Sequence, residues 1–138
     1  MKTVFADTVY WIAIVKPGDP WADRAKQIRA ELGEVRIVTT DEVLTEFLAT
    51  LKSGQVLRRM AVKMVRAILS NPNVKVIPQT HAAFLAALVL YEQREDKEYS
   101  LTDCISMNAM RSESLTEVLT NDHHFDQEGF TVLIRKQD

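Results

Sequence analysis

Four acidic residues occupy positions from which carboxylates could act together. Asp7 ends the first apolar run of the chain, and Asp122 follows the fourth. Asp103 lies in the first turn of a predicted helix, and Glu46 lies about one turn into another. Two like charges about 5 Å apart repel by roughly 3 kcal/mol at an effective dielectric of about 20. A fold that gathers four such acids therefore needs a cation or bound protons.

The chemistry of such a cluster follows from its oxygen ligands. Carboxylates without cysteine select a hard divalent cation, Mg²⁺ or Mn²⁺. An ion held in this way orients a water and neutralises a leaving oxygen, which suits phosphodiester hydrolysis. Each acid also has an ordinary alternative. Asp7 and Asp122 could be cap or turn residues, Asp103 could interact with a helix dipole, and Glu46 could be a solvated helix position.

The predicted elements favour convergence, because strand-like and helix-like segments alternate along the chain. The alternation predicts a single α/β domain over residues 1–138, doubly wound around a mainly parallel five-stranded sheet with helices on both faces. Such folds place their sites beyond the carboxyl ends of the strands. The predicted strands are 3–7, 35–39, 74–78, 117–121 and 130–134, and the predicted helices are 18–33, 41–52, 55–70, one that contains 82–91, and one that begins near residue 102.

Two details of the helices can be predicted as well. Asp19 is a good N-cap for the helix over 18–33. Residues 82–91 are nearly all apolar, which predicts a buried helix.

Charge is unevenly distributed, although the formal net charge is only −2. No Asp or Glu occurs between Glu46 and Glu92. Within that interval, Arg59, Lys63 and Arg66 share one face of the helix over 55–70, opposite an apolar face. With Lys52 before them, they are candidates for binding a polyanion through phosphate contacts. The alternative is an ordinary solvated helix face.

Cellular location can be predicted from the same sequence. Cys104 is the only cysteine, so no intrachain disulfide can form, and the residue is expected to be a small buried hydrophobe. Asp7 interrupts the apolar N-terminal run, which argues against a signal peptide. No apolar run reaches transmembrane length. We expect a cytoplasmic protein with no membrane partner.

Four segments resemble the signature segments of the PIN-domain family, which includes nuclease toxins of the VapC type. They are "FADTVYWIAI", "TTDEVLTEFLATL", "YSLTDCISMNAM" and "TNDHHFDQEGF". The resemblance implies a nuclease that cuts RNA with Mg²⁺ or Mn²⁺, forms homodimers and has an antitoxin protein as partner. It also implies that Asp7, Glu46, Asp103 and Asp122 are the catalytic, metal-binding acids, supported by the polar pair Thr120 and Asn121.

Some assignments stay open at this point. Asp126 could be a further metal ligand or could line the rim of the site. His123 and His124 could contact a phosphate, but they lack the partners of a structural zinc site. Trp11 and Trp21 could stack on a base, but burial is the ordinary role.

Other functions are compatible with an α/β fold. A non-catalytic RNA- or protein-binding module is the main alternative, and the intact set of acids argues against it. A phosphatase of the haloacid dehalogenase type would need a second Asp at position 9, where the chain has Val9. A phosphotransfer receiver would need an acceptor Asp after the third strand, where Pro78, Gln79 and Thr80 stand.

Overall fold

The computed structural model describes residues 1–135. Within them, the strands are β1 (Lys2–Ala6), β2 (Val35–Thr40), β3 (Val74–Ile77), β4 (Glu117–Leu119) and β5 (Thr131–Val132). The helices are α1 (Thr8–Val15), α2 (Ala22–Leu32), α3 (Asp41–Thr50), α4 (Gln55–Ser70), α5 (His81–Gln93), α6 (Leu101–Ser112) and α7 (His123–Gln127).

The five strands form one sheet in the order β3-β2-β1-β4-β5. Every pairing between these strands is parallel. Val4 lies opposite Ile37, and Phe5 lies opposite Val118. The predicted five-stranded α/β fold is confirmed, and the sheet is parallel throughout rather than mainly so.

Strand β1 is the centre of the core. Its residues Val4, Phe5 and Ala6 are each 0% exposed. Because successive side chains of a strand point to opposite faces, both faces of the sheet are covered here. The carboxyl end of β1 lies beside that of β4, where the Asp7 amide donates to the Leu119 carbonyl at 3.2 Å. This pairing brings Asp7 next to the segment that carries Asp122.

Local capping signals set several helix starts. Thr40, Thr80 and Ser100 each accept a hydrogen bond from a backbone amide in the first turn of α3, α5 and α6. The predicted role of Asp19 is wrong, because α2 begins only at Ala22 with Trp21 in the N-cap position. The Asp19 carboxylate instead accepts from the Trp21 amide at 2.9 Å, so it closes the turn that leads into the helix.

Helix α5 corrects a second expectation, the burial of residues 82–91. Only its inner side is buried, through Ala87 and Leu90. Phe84, Leu85, Leu88 and Val89 are 43–53% exposed. The helix packs chiefly against α6 and therefore forms an outer layer of the chain. A wholly apolar pattern cannot tell whether the chain itself or another molecule covers the outer side. None of the helices up to Arg135 is long and apolar enough to span a membrane.

Candidate active site

Asp7 is the most deeply buried acid of the sheet edge, at 5% exposure. The Thr120 hydroxyl donates to Asp7 Oδ2 at 2.9 Å. Burial raises the pKa of Asp7 to about 7, although hydrogen bonds from the Thr8 amide and from Thr120 oppose the rise. The nearby charges of Asp103 and Glu46 raise this pKa further. No Lys or Arg forms an ion pair with Asp7 within residues 1–135.

Asp103 is held at the start of α6 by a capping box. The Asp103 amide donates to Ser100 Oγ at 3.0 Å, and the Ser100 amide donates to Asp103 Oδ2 at 3.1 Å. Burial raises the pKa of Asp103, the Ser100 hydrogen bond lowers it, and the negative charge of Asp122 raises it. The capping role and a site role are therefore compatible, because the cap fixes the carboxylate beside another acid.

Asp122 caps the short helix α7. Its Oδ1 accepts from the His124 amide at 2.9 Å. The His124 ring then lies between two acids, with Nδ1 3.3 Å from Asp122 Oδ1 and 3.3 Å from Asp103 Oδ2. Since ionised carboxylates only accept, Nδ1 must carry the proton in this arrangement. One carboxylate oxygen of Asp103 and one of Asp122 are thus engaged in hydrogen bonds within the protein. Asp103 Oδ1 and Asp122 Oδ2 make no hydrogen bond in the described part of the chain.

The remaining residues named from the sequence fall into two groups. Glu46 is exposed on α3, and its charge acts on Asp7. Asn121 is partly buried next to Thr120. Asp126 points elsewhere, because its Oδ1 accepts from Arg135 at 2.7 Å. His123 is 73% exposed in its side chain, with Nδ1 3.9 Å from Asp122 Oδ1.

A partly buried polar network lies behind His124, and no strong signal in the sequence predicts it. The Tyr99 ring lies 5.2 Å from the His124 ring, centroid to centroid. The Tyr99 hydroxyl donates to Glu128 Oε2 at 3.0 Å, and Glu128 also accepts from Arg94 and Arg111. These residues come from four different segments, so only the tertiary fold brings them together. Near this network, the sequence predicts only the start of α6, through the capping residue Ser100.

The two aromatic residues and the cysteine have their ordinary roles. Trp11 is 3% exposed, and its Nε1 donates to Thr39 Oγ1 at 3.4 Å. Trp21 is partly buried against the core. Cys104 is 0% exposed, and burial raises the pKa of its thiol. The prediction that Cys104 is a buried hydrophobe is confirmed.

The basic face of α4 is exposed as predicted, since Ala61 and Ile68 are buried on the opposite side. An open groove of about 540 Å³ runs along it, lined by Gln55, Arg58, Arg59, Val62, Lys63 and Arg66. Arg59, Lys63 and Arg66 form no ion pair among the residues that the structure describes. Lys52 precedes the helix, and its carbonyl accepts from Arg58 at 3.3 Å.

The acids at the carboxyl edge of the sheet offer the kind of donor atoms that bind a divalent cation. They are Asp7, Glu46, Asp103 and Asp122. The charges of Asp103 and Glu46 raise the pKa of Asp7, and the charge of Asp122 raises the pKa of Asp103. Asp7 has no Lys or Arg partner within residues 1–135, so no side-chain cation in this part of the chain compensates its charge. Oxygen donors with free lone pairs and one nearby imidazole suit Mg²⁺ or Mn²⁺. Asp122, His123 and His124 also offer ligand atoms within 4.8 Å of one another.

A parallel α/β sheet with acids at its carboxyl edge defines the general class, and sequence comparison defines the family. The model of the PIN domain matches residues 4–130. The chain therefore belongs to the PIN-domain family. Comparison with curated protein sequences gives no match.

Solved structures share the fold over nearly the whole chain. The VapC20 toxin of Mycobacterium tuberculosis, described as cleaving the sarcin-ricin loop, is 26% identical with a TM-score of 0.83, and the match covers 93% of this chain and 96% of that one. DNA-bound VapBC from Salmonella typhimurium is 15% identical with a TM-score of 0.64, covering 96% and 97%. VapBC2 from Rickettsia felis, bound to a promoter DNA fragment, is 12% identical with a TM-score of 0.65, covering 94% and 96%.

Proposed function

We propose that this chain is a Mg²⁺- or Mn²⁺-dependent endoribonuclease and the toxin of a toxin–antitoxin pair. Its similarity to VapC20, a toxin that cleaves the sarcin-ricin loop, supports RNA as substrate. The observation that carries the proposal is the buried, uncompensated carboxylate of Asp7, whose pKa is raised to about 7 by burial. Buried carboxylates without a cationic partner cluster at functional sites, where a bound metal ion can neutralise their charge.

In this proposal Asp7, Glu46, Asp103 and Asp122 are the acids that hold the ion. The ion would supply a polarised water and neutralise the leaving oxygen. Thr120 orients Asp7 through its hydroxyl, and Ser100 orients Asp103 through its amide. Asn121 would support the same loop. Asp126 is engaged by Arg135, so it would reach the ion only if that ion pair opened.

Purified protein incubated with labelled single-stranded and stem-loop RNAs tests the activity. We expect cleavage with Mg²⁺ or Mn²⁺ and none with EDTA. Equal cleavage in EDTA would contradict the metal-dependent reaction. Binding of RNA without cleavage under every metal condition would instead favour the non-catalytic module.

The basic groove on α4 would hold the RNA backbone. Lys52, Arg59, Lys63 and Arg66 are the residues proposed for phosphate contacts, which position a nucleic acid without reading its sequence. The support is that Arg59, Lys63 and Arg66 are exposed and that no ion pair with a residue up to Arg135 neutralises them.

Two protein partners belong to the proposal. VapBC structures from Salmonella typhimurium and Rickettsia felis support an antitoxin, and a small neighbouring reading frame whose product co-purifies with this chain would test it. The outer side of α5, with Leu85, Leu88 and Val89 about half exposed, suits a homodimer. Leu88→Glu should then yield monomers in light scattering, whereas a wild-type protein that is already monomeric would contradict the dimer.

A cytoplasmic location accompanies this function, since the RNA substrate and the antitoxin would be found there. Activity recovered only from a secreted fraction would contradict it.

A further inference from the structure

A continuous series of contacts connects a partly buried cluster of ion pairs to the acids of the proposed metal site. Arg94 Nε donates to Glu128 Oε2 at 3.0 Å, and Arg111 donates to Glu128 Oε1 at 2.9 Å. The Tyr99 hydroxyl donates to Glu128 Oε2 at 3.0 Å. The Tyr99 ring packs against the His124 ring at 5.2 Å. We call Glu128, Tyr99 and His124 the brace.

The brace residues connect the two segments that carry Asp103 and Asp122, namely the start of α6 and helix α7. Tyr99 immediately precedes Ser100, the N-cap of α6, so a fixed Tyr99 fixes the start of the helix that holds Asp103. Glu128 is the C-cap residue of α7, whose N-cap is Asp122. The hydrogen bond between Tyr99 and Glu128 therefore joins one end of each acid-bearing segment.

The two segments need such a link because their acids repel each other. Asp103 Oδ2 and Asp122 Oδ1 each lie 3.3 Å from the same nitrogen, His124 Nδ1, so the two carboxylates are close enough to repel each other without a cation. His124 Nδ1 lies 3.3 Å from each acid and limits their separation only if its ring stays in place. The ring is 18% exposed in its side chain, and Tyr99 packs on it.

We infer that Tyr99 and Glu128 are positioning residues, which hold His124 between Asp103 and Asp122 and so preset the spacing of the two carboxylates for a divalent cation. The inference rests on the proposed metal site. Groups behind the ligands of a metal orient them, and losing one typically weakens metal binding 10–100-fold. Tyr99 and Glu128 touch neither substrate nor ion in this role, and they act through His124.

Tyr99→Phe tests the inference, because it removes one hydroxyl and keeps the ring that packs on His124. We expect Mn²⁺ affinity, measured by calorimetry without RNA, to fall about tenfold. Tyr91→Phe is the matched control, since Tyr91 is 49% exposed and lies on the outer side of α5. It should leave the Mn²⁺ affinity unchanged. Cleavage by Tyr99→Phe should fall at low Mn²⁺ and return to the wild-type rate when Mn²⁺ is saturating.

A second variant separates positioning from stability. Glu128→Gln should weaken Mn²⁺ binding as well, and the double variant with Tyr99→Phe should be little worse than Glu128→Gln alone, because both remove the same link. Melting temperatures are recorded for each. Lower melting temperatures with unchanged Mn²⁺ affinity would mean that the network is only structural, and would overturn the inference. A wild-type protein that binds no Mn²⁺ would instead overturn the proposed metal site itself.

Discussion

Two carboxylates with little exposed surface, one on a buried residue and one on a partly buried residue, have opposite surroundings. Asp7 is 5% exposed, and the Glu128 side chain is 5% exposed. Burial raises the pKa of Asp7 to about 7, since only hydrogen bonds from Thr8 and Thr120 oppose it. Burial would also raise the pKa of Glu128, but hydrogen bonds from Arg94, Arg111 and Tyr99 outweigh it and hold that pKa below its ordinary value.

The difference separates a carboxylate whose charge is neutralised by arginines of the chain from one that has no such partner among the described residues. A buried charge is tolerated when paired and hydrogen-bonded, and it destabilises the protein when it is not. Around Glu128 the chain supplies two guanidinium groups. Around Asp7 the described residues supply two more acids instead, Asp103 and Glu46. No Lys or Arg among the described residues pairs with Asp7, which supports the proposal that function rather than stability keeps this acid there.

The largest expected effect follows from removing the charge of Asp7. Asp7→Asn should reduce RNA cleavage at least about a thousandfold, which is ~4 kcal/mol of barrier, because the ion loses its most buried ligand. The melting temperature without metal should hold or rise, since a repelling charge is gone. Cleavage assays and calorimetric melting in EDTA measure the two quantities.

Two comparisons frame that result. Asp103→Asn and Asp122→Asn should behave in the same way as Asp7→Asn. His123→Ala should keep activity within about tenfold, or ~1.4 kcal/mol, because its side chain is 73% exposed. A clear loss of melting temperature in metal-free Asp7→Asn would show that this acid is structural.

The pH dependence of stability should carry the signature of Asp7. Its pKa is about 7 in the folded chain against an ordinary 3.8, so between these values the folded state binds the extra proton. Stability in EDTA should therefore fall as pH rises from about 4 through about 7, by on the order of 4 kcal/mol from this group. Urea unfolding of wild type and Asp7→Asn across this range isolates the contribution. Parallel pH profiles for the two proteins would contradict it.

Glu128 should show the opposite sign and a smaller effect. Glu128→Gln should lower the free energy of unfolding at pH 7 by ~1–3 kcal/mol, at the low end because Arg94 and Arg111 are 36% and 42% exposed in their side chains. A pKa lowered by folding stabilises the folded state at neutral pH, and this stabilisation is lost as pH falls. The variant and the wild type should therefore converge in acid. If the difference in free energy of unfolding between the variant and the wild type stays constant down to about pH 3, the charge of Glu128 is not its cause.

How far the sequence predicts this molecule depends on the range of the interactions involved. Helix α4 has the predicted bounds, Gln55–Ser70, because its amphipathic period and the preceding Gly54 are local signals. Asp7 and Asp122 could be placed at one edge because carboxyl ends of parallel strands share an edge. The partners of Glu128 could not be foreseen, since Arg94, Tyr99 and Arg111 are distant from it in sequence and meet it only after packing.

The outer side of α5 was mispredicted for a related reason. Hydrophobicity along a segment reports how much apolar surface must be covered, not which molecule covers it. The sequence left open a phosphate contact for His124, but its place between Asp103 and Asp122 depends on the relative position of α6 and α7.

The basic face of α4 extends the same comparison to positive charges, because Arg59, Lys63 and Arg66 form no ion pair within residues 1–135. Changing all three to Gln in an Asp103→Asn background should weaken RNA binding about equally for all sequences. Each neutralised phosphate contributes about −0.7 to the log–log salt slope for a single strand, so the slope should flatten by roughly 2 units. The melting temperature should barely change, because exposed charges contribute little to stability.

A control with the same net charge decides whether position matters on this face. Lys16, Lys26 and Arg36 are exposed and lie outside α4, so changing them to Gln removes three positive charges from elsewhere on the surface. If the α4 groove follows the RNA backbone, this control should keep most of the salt slope, because its charges contact no phosphate directly. Equal flattening in both triple variants would mean that only net charge attracts the RNA. An unchanged slope in the α4 variant would leave that face solvated or available to a protein partner.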